Sequence, residues 1–520
     1  MVLLEDIVKS VEQLLKLISK QSQEQSFVDP TLDPVLFVPG IAGSILNSVD
    51  DKTGKTERVW VRVLGADHEF QDKLWSRFDP ATGRSETLDD GTHIEVPQDR
   101  HGLYAIDSLD PDMVIGGDCV YYFHDMIVEF IKWGYQEGTT LFGFGYDFRQ
   151  SNRFQETLDR FASKLESIYT ASGGRKINII SHSMGGLLTK CFMSLHTDIF
   201  EKYVKNWVAI AAPFRGAPGY ITSAFLNGTS FVHGWEQNFF ISKWSMQQLI
   251  KKWEQVPLLE IWSKKSDSDE NSNIILETYS PAEAIPIFME ELSINKVSFN
   301  GSDISLPFNV EILKCANETR RLLSSAEIPS QIKFYNIYGT SYETPHSVCY
   351  GSESAPISDL RQLPTLQAKY INVDGDGTVP VESAKADGLR AEARVGVPGD
   401  HRGILCDRHV FRILKHWLKA DHDPFYNPVN DYVILPTAFD MGSLKTKDGL
   451  QVTTLREEWE IVGENDRVNN TKPLMGSIDV ACVGGDESVL EEAHATVTAE
   501  STNDGKKHVE LNAVSISASA

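Results

Sequence analysis

The run Ile177-Asn178-Ile179-Ile180-Ser181-His182-Ser183-Met184-Gly185-Gly186 decides the fold. Its first four residues read as a short buried strand. Leu187, Leu188 and Cys191 then continue at helical spacing. Between them, Ser183 stands in a tight turn flanked by the small residues Ser181, Gly185 and Gly186. A serine in a turn commonly just bonds its own backbone. A serine at the apex of a strand–turn–helix junction is instead a nucleophile elbow, whose sharp turn admits only small neighbours. That context points to acyl transfer from an ester through Ser183.

Working outward, Pro34 to Val38 is a second apolar strand, ended by Pro39-Gly40. Thr139 to Phe144, Val204 to Ala211, Ile332 to Tyr338 and Tyr370 to Val373 read as further strands. Helical patterns lie between, at Tyr121 to Trp133 and in the stripe Phe154, Leu158, Phe161, Leu165, Tyr169. Strands alternating with helices imply an α/β fold, a mostly parallel sheet with helices on both faces. Two stretches break the alternation: Asn47 to Asp118, rich in charge and glycine, and Phe214 to Pro329. Within the second, the polar segment Ser263 to Asn273 reads as a loop. Leu3, Leu4, Ile7, Val8, Val11, Leu14, Leu15 and Ile18 give residues 1–28 the pattern of an amphipathic helix. The last stretch, 462–520, is acidic and rich in Ser, Thr and Gly, and is expected to be disordered, leaving 29–461 as the folded domain.

Composition narrows the function class. With 520 residues, 41% hydrophobic and 10% aromatic, the chain can bury a large core. A net charge of −24 argues against nucleic acid and against electrostatic docking on anionic membranes. The charged residues Glu5, Asp6, Lys9, Glu12 and Lys16 interrupt the N-terminal apolar residues, unlike a secretory signal, so a cytoplasmic protein with no transmembrane segment is expected. The six cysteines, Cys119, Cys191, Cys315, Cys349, Cys406 and Cys482, show no metal-like spacing and read as free thiols.

An activated serine needs a base, and the base needs an orienting carboxylate. In the α/β-hydrolase arrangement the acid and then the histidine follow the serine. The acid is sought in Val373-Asp374-Gly375-Asp376-Gly377-Thr378-Val379, where glycines allow a sharp turn after a strand. A calcium loop is disfavoured, since the twelfth position counted from Asp374 is Lys385, not Glu. The favoured base is His401, in Gly399-Asp400-His401-Arg402-Gly403 beyond the apolar stretch Val395 to Val397. His346 precedes the acids and breaks the order, and His409 falls in a helical pattern ending at Trp417. An oxyanion hole needs two backbone N–H groups. One is expected from Met184, after the nucleophile, and one from Gly40-Ile41-Ala42-Gly43.

These residues together resemble the lecithin–cholesterol acyltransferase family. Four segments carry the resemblance: Pro34 to Gly40, Tyr146-Asp147-Phe148-Arg149, Ser181 to Gly186, and Asp374-Gly375-Asp376-Gly377-Thr378-Val379. Each is weak alone and specific as a set, and the match runs from about Asp29 into the 440s. The resemblance implies an α/β-hydrolase core, with Ser183 as nucleophile, Asp376 rather than Asp374 as the acid, His401 as base, and Ile41 and Met184 as oxyanion donors. It implies a membrane-binding insertion at 47–118 and a cap with a lid at 214–329, where Trp235, Phe239 and Phe240 would meet lipid. The expected activity is a calcium-independent phospholipase A or O-acyltransferase on glycerophospholipids, without a cofactor or metal. Contact with a membrane surface would be transient, and a lipid alcohol is an alternative to water as acceptor. Sterol or diacylglycerol acyl transfer, or an inactive lipid-binding role, are the competing readings. Two departures stand out. No cysteine precedes Cys119 to staple the insertion, and Ser245 to Leu259 lacks the small-residue, Pro-rich element the resemblance implies after the lid.

Overall fold

The computed structural model describes residues 28–61, 73–74, 76–79, 81–112, 120–218, 259–266, 272–280, 283–284, 286–287, 290, 296–299, 302–305, 310–358 and 369–420, with three strands between 474 and 518. The N-terminal helix expected at 1–28, apart from Val28, and the residues Trp235, Phe239 and Phe240 expected in a lid lie outside these residues. The chain divides into two compact units, 1–391 with 395–435, and 392–394 with 436–520.

The first strand, β1 (Val35–Val38), is fully buried and heads the central sheet. A small β subdomain follows. It comprises β2 (Leu46–Asp50), β3 (Thr56–Trp60), β4 (Ser76–Asp79), β5 (Arg84–Thr87) and β6 (Thr92–Glu95). These pair as an antiparallel sheet β3-β2-β6 and a separate hairpin β4-β5. The chain then returns to the core through helix α1 (His124–Lys132), strand β7 (Leu141–Gly143) and helix α2 (Gln155–Ala171). Leu158, Phe161, Leu165 and Ile168 give α2 its buried stripe. Next come β8 (Ile177–His182), α3 (Met184–Leu195), α4 (Thr197–Tyr203) and β9 (Val204–Ile210).

Strands β10 (Leu259–Ser266), β11 (Ser272–Tyr279), β12 (Lys296–Phe299) and β13 (Ser302–Ser305) and helix α5 (Val310–Ser324) fill the second insertion. They lead into β14 (Lys333–Thr340), β15 (Tyr342–Tyr350), β16 (Lys369–Gly375), α6 (Val381–Lys385), β17 (Ala393–Pro398) and α7 (Arg408–Trp417). The central sheet has the order β17-β14-β9-β8-β1-β7. Its pairs β7–β1, β1–β8, β8–β9 and β9–β14 are all parallel. Continuous apolar runs such as Val35 to Val38 and Trp207 to Ile210 suit strands buried on both faces. The fold is an α/β hydrolase.

Three expectations are corrected. The segment Ser263 to Asn273 is not a loop throughout: its two ends belong to β10 and β11, which pair antiparallel in register from Leu259↔Tyr279 to Ser266↔Ser272, and 267–271 lie outside the described residues. β11 is an edge of a second sheet, order β11-β10-β15-β16, where charge is tolerated, and β10 pairs its inner neighbour β15 in register only from Leu259 to Ile261. Tyr370 to Val373 is a strand, yet it belongs to this second sheet rather than the parallel one. It lies antiparallel to β15, and its side chains are only partly buried, as an edge strand's are.

The tail expected to be disordered carries β18 (Leu474–Val483), β19 (Leu490–Ser501) and β20 (Lys507–Ala518), an antiparallel sheet in the order β18-β19-β20. Its β-branched content supports strands despite the acidic composition.

The Tyr146-Asp147-Phe148-Arg149 segment ties the first insertion to the core. The Arg149 guanidinium pairs with Asp147 at 2.8 Å and donates to the Leu74 carbonyl at 3.0 Å. Gln150 brackets the β4–β5 hairpin, accepting from Ser85 N at 2.9 Å and donating to Ser85 O at 2.7 Å. Burial pushes the Asp147 carboxyl upward, but the Arg149 charge and hydrogen bonds outweigh it and hold the group below the usual range.

Candidate active site

The site lies in loops at the C-terminal ends of the parallel strands, where open α/β sheets place ligands. Ser183 follows β8, Gly40 and Ile41 follow β1, and His401 follows β17. Asp376 follows β16 of the second sheet, yet reaches the end of β14: a Cβ added to Gly339 would meet the Asp376 Cβ at 2.5 Å.

Ser183 adopts φ +54° and ψ −128°, a conformation few non-glycine residues take. Strain of this kind amounts to roughly 1–3 kcal/mol and persists only where the surroundings impose it. They do so here. Ser183 N donates to Ile210 O at 2.9 Å, and α3 packs so closely on β1 that a Cβ on Gly185 would lie 2.4 Å from the Pro39 carbonyl oxygen. Ser181, in place of the common glycine, is accommodated because its hydroxyl accepts from Trp207 Nε1 at 2.8 Å.

Ser183, His401 and Asp376 lie in one hydrogen-bonded row. Ser183 Oγ is 2.9 Å from His401 Nε2, and His401 Nδ1 is 2.7 Å from Asp376 Oδ2. The other Asp376 oxygen accepts from Thr378 N at 2.9 Å and Val379 N at 2.6 Å, which fixes the buried carboxylate. Asp374 turns elsewhere, accepting from Ser341 N at 2.7 Å. His409 lies in α7 and His346 is buried in β15.

The two N–H groups expected to face an oxyanion are open. Met184 is the first residue of α3, where an N–H has no intrahelical acceptor. Among the described residues neither Ile41 N nor Met184 N is given to a protein acceptor. The neighbouring Gly40 N is already used, donating to the Tyr122 hydroxyl at 2.9 Å. Hence Gly40 N is not available to an oxyanion, whereas Ile41 N, next in the loop, is given to no described acceptor.

Comparison with known proteins sets this geometry in a lineage. The family model for lecithin:cholesterol acyltransferase matches residues 57–261. The Arabidopsis thaliana protein lecithin-cholesterol acyltransferase-like 4 is 58% identical over all of this chain and 99% of its own length. The chain belongs to the lecithin:cholesterol acyltransferase family. Among other relatives, phospholipase A(1) LCAT3 of Arabidopsis thaliana is 48% identical, covering 75% of this chain and 91% of that protein. The human lysosomal phospholipase A and acyltransferase is 23% identical, covering 68% and 80%.

Two residues of this lecithin:cholesterol acyltransferase family chain escaped the sequence reading. Tyr122 bonds Gly40 and His182, and His182 in turn bonds the backbone oxygen of His401. Tyr122 sits 82 positions from Gly40, so no local pattern points to it. His182 lies inside the elbow motif itself, and its place beside Ser183 was the available signal. Among the described residues, Cys191, Cys315, Cys349 and Cys406 are not in disulfides, and no helix is long and apolar enough to cross a membrane.

Proposed function

We propose that this protein is a serine-dependent lipid acyl hydrolase and O-acyltransferase of phospholipase A type, with Ser183, His401 and Asp376 as its triad. The row of hydrogen bonds from Ser183 Oγ through His401 to Asp376 carries the reading. The names of relatives, which include a phospholipase A(1) and a phospholipase A with acyltransferase activity, support the substrate class.

The Ser183 hydroxyl gives its proton to His401 Nε2 as Oγ attacks the ester carbonyl of a glycerophospholipid. Asp376 accepts from His401 Nδ1–H, so the ring presents its other nitrogen to the serine and the imidazolium is stabilised. Open N–H groups of Ile41 and Met184 face the charge that develops on the carbonyl oxygen. His401 then passes the proton to the departing lysophospholipid oxygen, leaving an acyl group on Ser183. Water, or a lipid alcohol in the acyltransferase branch, attacks this ester with His401 as base and frees the serine. Both carboxylates of the Asp374–Asp376 loop are engaged by protein donors, which fits chemistry that runs without calcium. The enzyme meets its substrate at a membrane surface through the lid segment.

The test is fluorophosphonate labelling of wild type and Ser183→Ala, followed by product analysis on phosphatidylcholine vesicles with and without an added lipid alcohol. Labelling and acyl release should both vanish in Ser183→Ala, since the apical hydroxyl contributes little packing. Near-normal release from a folded Ser183→Ala protein would overturn the mechanism. A product ester seen only with the alcohol present identifies the acyltransferase branch.

A further inference from the structure

Beside the triad runs a second row of hydrogen bonds. Gly40 N donates to the Tyr122 hydroxyl at 2.9 Å. The hydroxyl lies 2.6 Å from His182 Nδ1, and His182 Nε2 lies 2.8 Å from the backbone oxygen of His401. A carbonyl only accepts, so His182 Nε2 carries the ring hydrogen and Nδ1 is the acceptor. Tyr122 must therefore donate its hydroxyl hydrogen to Nδ1 while its oxygen accepts from Gly40. Each hydrogen bond has one direction, and the whole row points from the Gly40 loop to His401.

The row joins four segments that are remote in sequence. It crosses 82 positions from Gly40 to Tyr122, 60 from Tyr122 to His182 and 219 from His182 to His401. His401 is thereby held on both sides of its own peptide units. Its carbonyl accepts from His182, and its N–H donates to the Asp376 carbonyl at 2.8 Å. At the other end, Gly40 immediately precedes Ile41. A Cβ on Gly40 would lie 2.6 Å from the Ser183 Cβ and 3.0 Å from the Tyr122 hydroxyl oxygen, so the loop, the nucleophile and the tyrosine are in direct contact.

Building on the triad reading given above, we propose that Tyr122 and His182 are positioning residues. They hold the Ile41 oxyanion donor and the His401 base in register with Ser183. The proton acceptor and the oxyanion donor come from opposite sides of the nucleophile, on loops with no covalent link nearby. A misplacement of about 1 Å in such a constellation can cost roughly a hundredfold in rate. The His182 ring suits the task because it stays neutral. It is almost completely buried, and lost hydration, with the nearby His401 and Arg402 as smaller contributors, holds it well below the usual imidazole range. A neutral ring keeps one donor and one acceptor at fixed positions. Burial likewise holds the Tyr122 hydroxyl protonated, which keeps its hydrogen available to Nδ1.

Four variants of the full chain test this: Tyr122→Phe, His182→Leu, His182→Gln and Ser183→Ala. Steady-state hydrolysis of a monomeric short-chain ester, the rate of fluorophosphonate labelling and thermal melting are the readouts. Tyr122→Phe removes one hydroxyl and should fold. It is expected to lower kcat roughly ten- to hundredfold with KM within about twofold, and to slow labelling in parallel. His182→Leu should do the same. His182→Gln should recover most of the loss, because a carboxamide also offers one donor and one acceptor. A folded Tyr122→Phe enzyme with unchanged kcat and labelling would overturn the proposal. So would a His182→Gln variant no better than His182→Leu. The triad reading fails separately, and takes this proposal with it, if wild type does not label or if Ser183→Ala labels as well as wild type does.

Discussion

Asp374 and Asp376 stand two residues apart in one loop, yet the structure gives them different partners. Asp376 reaches His401 Nδ1 and is pinned by two backbone N–H groups, while Asp374 accepts from Ser341 N. Substitution by asparagine separates their roles cleanly, because an amide oxygen can still accept from backbone. Asp376→Asn should fold and lose about 10⁴-fold in kcat, since an amide NH₂ favours the wrong imidazole tautomer. Asp374→Asn should keep its Ser341 bond and stay within a few-fold of wild type. Measured turnover in the reverse order would assign the acid to Asp374. The order serine, acid, histidine was legible in the chain because loop chemistry leaves Gly, Asp and His in short clusters. What could not be read was the cross-chain partner. Tyr122 is an ordinary tyrosine by sequence, and only tertiary folding brings it to Gly40 and His182.

Among the elements, the elbow was the clearest because its requirement is local. A strand must hand over to a helix within one residue, so the neighbours must be small. The close approach of α3 to β1 makes this quantitative. Gly185→Ala places a methyl against the backbone oxygens of Pro39 and Val38, at 2.4 and 2.6 Å, and backbone cannot swing aside as a side chain can. We expect a stability loss of about 3 kcal/mol, at the upper end for overpacking, with kcat reduced as the Ser183 turn shifts. Denaturant midpoints of the folded variants provide the check, and an unchanged midpoint would show that the helix moves freely. Other elements were hidden by features that strand patterns do not carry on their surface. In β20 the register skips from Ala513↔Thr496 to Leu511↔Val497, so Asn512 is an extra residue. That bulge breaks the alternation in sequence between Leu511 and Val514, although both occupy the same parity of the ladder. The β10–β11 pair was missed because the polar end of a strand and a loop share a composition.

At the scale of the whole molecule, charge decides how an enzyme of this kind can meet a membrane. The net charge is −24, so long-range attraction to anionic lipid is not available to drive binding. The remaining force is apolar burial, and the proposed lid segment is rich in aromatic residues, with Phe225, Phe231, Trp235, Phe239, Phe240 and Trp244 close together in sequence. Aromatic rings suit the membrane interface. Apolar burial is not screened by salt, whereas a charge-driven contact weakens as the Debye length falls from roughly 14 Å at 0.05 M to about 4 Å at 0.5 M. Turnover of zwitterionic phosphatidylcholine vesicles should therefore change less than about twofold across that range and exceed turnover of a monomeric short-chain ester. Trp235→Ala and Phe239→Ala should lower the vesicle rate several-fold while sparing the monomer rate, because only the vesicle must be bound before an acyl chain can reach Ser183. Equal losses on both substrates would mean that these rings only hold the cap together. A steep fall with salt, or a requirement for anionic lipid, would mean that a local basic surface does the docking against the charge of the rest of the chain.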